Sequence, residues 1–179
     1  MKHSLYLSAF ALFAVSVTAC NENKKAKNYN EKTLVDAGAI TFIKQADEAG
    51  ITEIRAAQVA QSKSNNARVV NFAKMMINDH TAMGNSLKEL AKNKFVTIKA
   101  ASDTLSLSHQ QMIDEISKLS GSAFDKAYMG MMVTDHGKVI DLFRSVDNNT
   151  NRAIQKFAEQ NLPKLLTHLD SAKAINGSL

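Results

Sequence analysis

A chain of 179 residues with 45% hydrophobic residues and a net charge of +5 has the length for one domain with a sizeable core. Its basic residues are interleaved with acids, aromatics make up only 6% and Trp is absent, so the sequence carries no nucleic-acid footprint. With a single cysteine, no disulfide can close within the monomer.

The chain opens MKHSLYLSAFALFAVSVTAC. Lys2 and His3 give a positive start, and an apolar run from Leu5 to Val17 follows, too short to span a bilayer. Residues 1–19 therefore read as a secretory leader. Val17-Thr18-Ala19-Cys20 resembles the bacterial lipobox, in which the cysteine becomes the lipidated mature N-terminus, and Cys20 is the expected lipidation site. Two or three acyl chains there would anchor the protein stably in a membrane. Residues 20–34, with NENKKAKNYNEK, have no apolar periodicity and read as a flexible tether. Asn21, where an Asp would retain the protein at the inner membrane, leads to the expectation of an outer-membrane lipoprotein of the cell envelope.

Residues 35–179 are expected to fold as one all-α domain, because apolar residues recur at helical spacing and no window alternates as a strand would. The first helix is predicted from about Val35 to Lys63, with a stripe of Phe42, Ala46, Ala49, Ala57 and Ala60. The second runs from about Asn65 to Lys92 on Val69, Phe72, Ala73, Met76, Met83, Leu87 and Ala91. After a link from Asn93 to Leu107, a short helix spans Ser108 to Leu119, and Gly121 suits a helix end. The next helix starts at Ser122, with Asp125 three residues on in a capping-box-like arrangement. It carries Phe124, Tyr128, Met131, Val139, Leu142, Phe143 and Val146. A turn at Asp147-Asn148-Asn149 leads to the last helix, Thr150 to Ile175, which Pro163 should kink or restart. Two tight hairpins joined by one long crossover are the pattern of a ferritin-like four-helix bundle with one short extra helix in the crossover. The crossover makes the second and third long helices parallel. Those two helices carry the repeated segments MMINDH and MMVTDH, at 75–80 and 131–136.

One ionisable residue falls within the apolar face of each long helix: Glu53, His80, Asp135 and His168. His136 lies nearer its face's edge, as does Asp79. A buried charge costs several kcal/mol unless it is paired or metal-bound, so the four need a joint explanation. At ~1.5 Å rise per residue, Glu53, Asp135 and His80 stand roughly 16, 20 and 24 Å above the hairpin end, whereas His168 stands at roughly 10 Å. Glu53, His80, Asp135 and His136 are therefore the expected cluster, joined by His168 only if Pro163 shifts its helix.

Three readings compete. Inward carboxylates and imidazoles can hold iron, manganese or zinc; yet no Glu-x-x-His occurs, which argues against an oxygen-activating di-iron centre. Met76 with His80, and Met132 with His136, each four apart, suit copper. Alternatively the cluster is a hydrogen-bonded core network that binds nothing, with the outer helix faces serving a protein partner. No nucleophile elbow, phosphate loop or HExxH helix is present, so an enzyme is not expected.

The segments NFAKMMINDH, GSAFDKAYMGMMVTDH and FAEQNLPKLLTHLDSA, together with Glu53, resemble the secreted bacterial ferritin-like family known as domain of unknown function four-one-four-two. The resemblance covers about Leu34 to Ile175. It implies a ferritin-like bundle exported to the periplasm or outer membrane, and it implies no particular chemistry.

Overall fold

The computed structural model describes residues 37–94, 96–98, 105–146 and 151–179. The leader, Cys20, the tether and the turn at Asp147-Asn148-Asn149 lie outside the described residues. Within them the chain is all-helical: α1 (Ala37–Lys63), α2 (Ala67–Asn93), α3 (Leu107–Ser117), α4 (Gly121–Arg144) and α5 (Arg152–Asn176). No strand occurs among the described residues. None of these helices is long and apolar enough to cross a membrane.

Local chemistry starts three of the helices. Asn66, Ser106 and Asn151 are extended or non-helical N-cap residues whose side chains accept from the backbone N–H of Arg68, His109 and Ala153. Each bond satisfies one of the donors that a helix start leaves unpaired. The start of α4 departs from expectation. Ser120, not Ser122, is its N-cap and makes no side-chain capping bond. Gly121, at φ +56°, opens α4 rather than closing α3, a left-handed conformation that only glycine adopts cheaply. Asp125 is buried, with Oδ1 unpartnered, so it completes no capping box. α5 runs through Pro163 as one helix instead of restarting there.

The four long helices pack α1 on α2, α4 on α5, α1 on α4 and α2 on α5, while α3 lies against α1 and α4. Contacts at the ends set the directions. Arg68, in the first turn of α2, donates to Ser178 just beyond α5 at 2.6 Å. Lys63, at the end of α1, stands 5.9 Å over the Phe124 ring near the start of α4. It also donates to Ser117 O at the end of α3. At the other end Phe42 packs edge-on against Phe143 and Phe157, with centroids 5.1 and 6.3 Å away. So α2 and α4 point one way, and α1 and α5 the other. The two MMxxDH segments run parallel.

The core is split in two along the helix axes. One apolar cluster gathers Ala57, Phe72, Met76, Phe124, Tyr128 and Met132. The other gathers Phe42, Ile43, Leu87, Phe143, Phe157 and Leu165. In each long helix a polar residue sits in sequence between members of the two: Glu53, His80, His136 and His168. Burial of such apolar side chains, each worth about 1.5–3 kcal/mol, holds the helices on either side of a polar layer that burial alone disfavours.

Candidate metal centre

Three imidazoles from three helices meet in that layer. His80 on α2, His136 on α4 and His168 on α5 are 2%, 0% and 1% exposed. His80 Nε2 lies 3.3 Å from His168 Nδ1, and His136 Nε2 lies 3.4 Å from the same atom. One nitrogen from each ring lies within 4.8 Å of the other two, the geometry of a set that could hold one metal ion. A tetrahedral zinc with bonds of about 2.0–2.1 Å sets its nitrogens about 3.3 Å apart, which is the spacing of His168 Nδ1 from each of the other two nitrogens.

The outward-facing ring nitrogens are backed by oxygen. His168 Nε2 is 2.9 Å from Asp79 Oδ2. His136 Nδ1 is 2.9 Å from Met132 O and 3.1 Å from Glu53 Oε1. His80 Nδ1 is 3.1 Å from Glu53 Oε2. One carboxylate from α1 thus stands behind two of the three rings. The Glu53 oxygens are close to these nitrogens but not aligned for hydrogen bonding, and both are buried. Glu53 is therefore a buried carboxylate lacking a well-aligned donor, a state that a nearby cation would relieve.

Proton positions follow from the partners. Asp79 and the Met132 carbonyl can only accept, so His168 carries its proton on Nε2 and His136 on Nδ1. That leaves His168 Nδ1 and His136 Nε2 as bare lone pairs facing one another. Burial pushes the His80 pKa well down, helped by the neighbouring His136 and His168, and brings His136 down to about 4. Burial also lowers His168, against the opposing pull of Asp79. Neutral rings are the metal-binding form. Burial, followed by the charge of Asp135, pushes Glu53 well above the ordinary carboxylate range. Partial burial works to raise Asp79, but hydrogen bonds from Lys164 and His168 outweigh it and hold Asp79 below its ordinary value. The outer side of the site is therefore an ionised carboxylate, tied to Lys164 at 2.9 Å.

The structure sorts the residues expected from sequence. His80 and His136 come together as anticipated, and His168 joins them, contrary to the level assigned from its distance to the helix end. The reason is register: Ser178, not Ile175, is level with the start of α2. Counted from that contact, His80 is twelve residues up and His168 ten, so the two differ by about 3 Å in height rather than 14. Glu53 faces the backs of two rings and not the point where their free nitrogens converge. Asp135 stands apart from the histidines, with Oδ1 3.4 Å from Lys138 Nζ. Met76 and Met132 are fully buried in the apolar cluster below the polar layer. Asp79, taken as an edge residue in the sequence, is the partner of His168. The available sign was its place directly before His80 in the repeated segment.

A family model described as "Domain of unknown function (DUF4142)" matches residues 24–175. No curated protein and no solved structure matches the chain. The matched span contains every residue of the histidine layer, and the chain belongs to this family of domains of unknown function.

Proposed function

We propose that this protein is a ferritin-like four-helix bundle that binds one transition-metal ion through His80 Nε2, His136 Nε2 and His168 Nδ1. The observation that carries the reading is the convergence of three neutral imidazole nitrogens within 4.8 Å of one another, His168 Nδ1 standing 3.3 and 3.4 Å from the other two, with their far nitrogens each backed by a carboxylate or carbonyl oxygen. Outer oxygens of this kind orient ligating histidines and raise their basicity. Glu53 and Asp79 are the outer partners. An all-nitrogen donor set suits zinc or copper better than manganese, which prefers oxygen. Iron fits less well, because no carboxylate oxygen joins the inner set.

A second reading has its own support. With its pKa raised, Glu53 keeps its proton, with Oε2 3.1 Å from His80 Nδ1. His80 Nε2–H then donates to His168 Nδ1, and His168 Nε2–H to Asp79. That relay pins four helices without an ion and describes the metal-free protein.

The proposed setting is the cell envelope, with Cys20 as the lipid anchor and a protein partner on the outer helix faces. The leader, the lipobox-like Val17-Thr18-Ala19-Cys20 and the polar tether support it. The deciding measurement titrates the metal-free mature chain with Zn(II), Cu(I), Co(II) and Mn(II), beside a His136→Ala/His168→Ala variant. One ion per chain, lost in the variant, is the expected result. Binding no tighter than about 100 μM, roughly −5.5 kcal/mol, would leave the relay as the whole role of the layer.

A further inference from the structure

A cavity of about 230 Å³ opens between α1 and α2. Gly50 on α1 and Gly84 on α2 both line it. A Cβ at Gly50 would come 4.0 Å from His80 Nδ1, and one at Gly84 would meet nothing within 4 Å. Two residues without side chains thus leave room between the helices. Much of the remaining wall is apolar, with Ile51, Met83 and Leu87.

One side chain in this cavity is costly. Asp47 lines it, is 4% exposed, and has no hydrogen-bond or ion-pair partner among the described residues. Its oxygens are not sealed from solvent, so the carboxylate opens to the cavity that it lines. Burial pushes the Asp47 pKa up, and the charge of Lys88 pulls it back. Lys88 is exposed and acts on Asp47 through charge, without a bond. Arg55, the other lining cation, is eight residues from Asp47, about 12 Å along α1. A carboxylate so placed is relieved by a cation that comes to it. A metal ion fits poorly, because among the described residues no three metal-binding groups gather around Asp47. The apolar walls would also leave the water shell of a hydrated ion without partners. An ammonium on a short hydrocarbon satisfies both the carboxylate and the walls. At about 30 Å³ for each water-sized group, the cavity holds about seven or eight non-hydrogen atoms. We infer that the cavity between α1 and α2 binds a small apolar primary amine, with its ammonium on Asp47 and its hydrocarbon between Ile51, Met83 and Leu87. It does so whether or not the histidines hold a metal.

The test titrates the mature chain at pH 7 with benzylamine, a cation at that pH, and with benzyl alcohol, its uncharged counterpart. The backbone NMR signals of Gly50 and Gly84 report occupancy. Benzylamine should shift both and saturate, with a dissociation constant of about 1 mM for a ligand of this size. Benzyl alcohol should bind about tenfold more weakly or worse, as should benzylamine to Asp47→Asn, because the charged hydrogen bond is lost. Gly84→Leu fills the cavity with a better helix former, so it should stay folded and bind nothing. No saturable shift by about 50 mM would leave Lys88 as the natural partner of Asp47 and overturn the site. Equal binding of the alcohol, or wild-type binding by Asp47→Asn, would make the cavity a merely apolar cleft and overturn it too. Wild-type binding by Gly84→Leu would place the amine elsewhere, with the same consequence.

Discussion

His168 Nε2 meets Asp79 Oδ2 at 2.9 Å, while Lys164, one turn before His168, holds the other oxygen of the same carboxylate at 2.9 Å. α2 and α5 are thereby joined by a cation, a carboxylate and an imidazole in line. The carboxylate fixes the His168 tautomer that leaves Nδ1 free. Asp79→Asn should weaken metal binding about 10–100-fold, the usual cost of losing such an outer partner. The helical content should not change, since Asp79 is only partly buried. Calorimetric titration with Zn(II) measures this directly, and wild-type affinity in the variant would remove Asp79 from the site.

Metal binding should release about one proton per ion near pH 7. In the metal-free relay Glu53 holds a proton and His80 carries its own on Nε2. An ion bound to His80 Nε2 expels that proton, and the Glu53 proton moves to His80 Nδ1. Binding enthalpies measured in two buffers of different ionisation heat give the count. A count of zero would rule out the relay as the metal-free state.

Glu53→Gln separates stability from binding. An amide mimics the protonated acid without the cost of taking up a proton at pH 7, so the metal-free variant should be more stable than wild type at that pH by about 1–3 kcal/mol. Its metal affinity should fall, because two rings lose their anionic partner. Urea unfolding in chelator and a Zn(II) titration read the two effects separately. Equal stability and equal affinity would show that Glu53 has no electrostatic role.

The same variant exposes the acid sensitivity of the histidines. His136 titrates at about 4 when folded, against an ordinary 6.5. Between those values the unfolded chain takes up a proton that the folded chain refuses. Stability therefore falls as pH drops from 6.5 to 4, by about 3 kcal/mol at 1.36 kcal/mol per unit. Glu53, whose folded value is raised, acts the other way: its contribution is present below 4.5 and is lost as pH rises through the folded value. In Glu53→Gln this opposing contribution is gone, so its acid decline should be steeper than that of wild type. Thermal unfolding of both metal-free proteins from pH 7.5 to 4 tests the sign.

Gly121 tests a backbone effect alone. An added Cβ there meets nothing within 4 Å, yet the residue sits at φ +56°. Gly121→Ala should cost about 1–2 kcal/mol through conformation only, without altering metal affinity. A neutral substitution would mean that α4 can start with ordinary helical backbone.

Much of this was legible in the chain itself. Apolar residues at helical spacing marked the five helices to within a few residues, because burying a stripe is what stabilises a helix in water. The same periodicity exposed Glu53, His80 and His168, since an ionisable group in an apolar stripe is conspicuous by its cost. What periodicity cannot contain is register between helices. Only the packed structure sets Ser178 beside Arg68, which lifts His168 to the level of His80. Rotation about the helix axis was likewise decided by packing. Asp135 and His136 are neighbours on α4, and both had been placed in the expected cluster. The structure turns His136 toward the histidines and leaves Asp135 beside Lys138. A single sequence ranks which side chains are costly to bury; which of them share the cost is settled by contacts between residues as distant as Asp79 and His168.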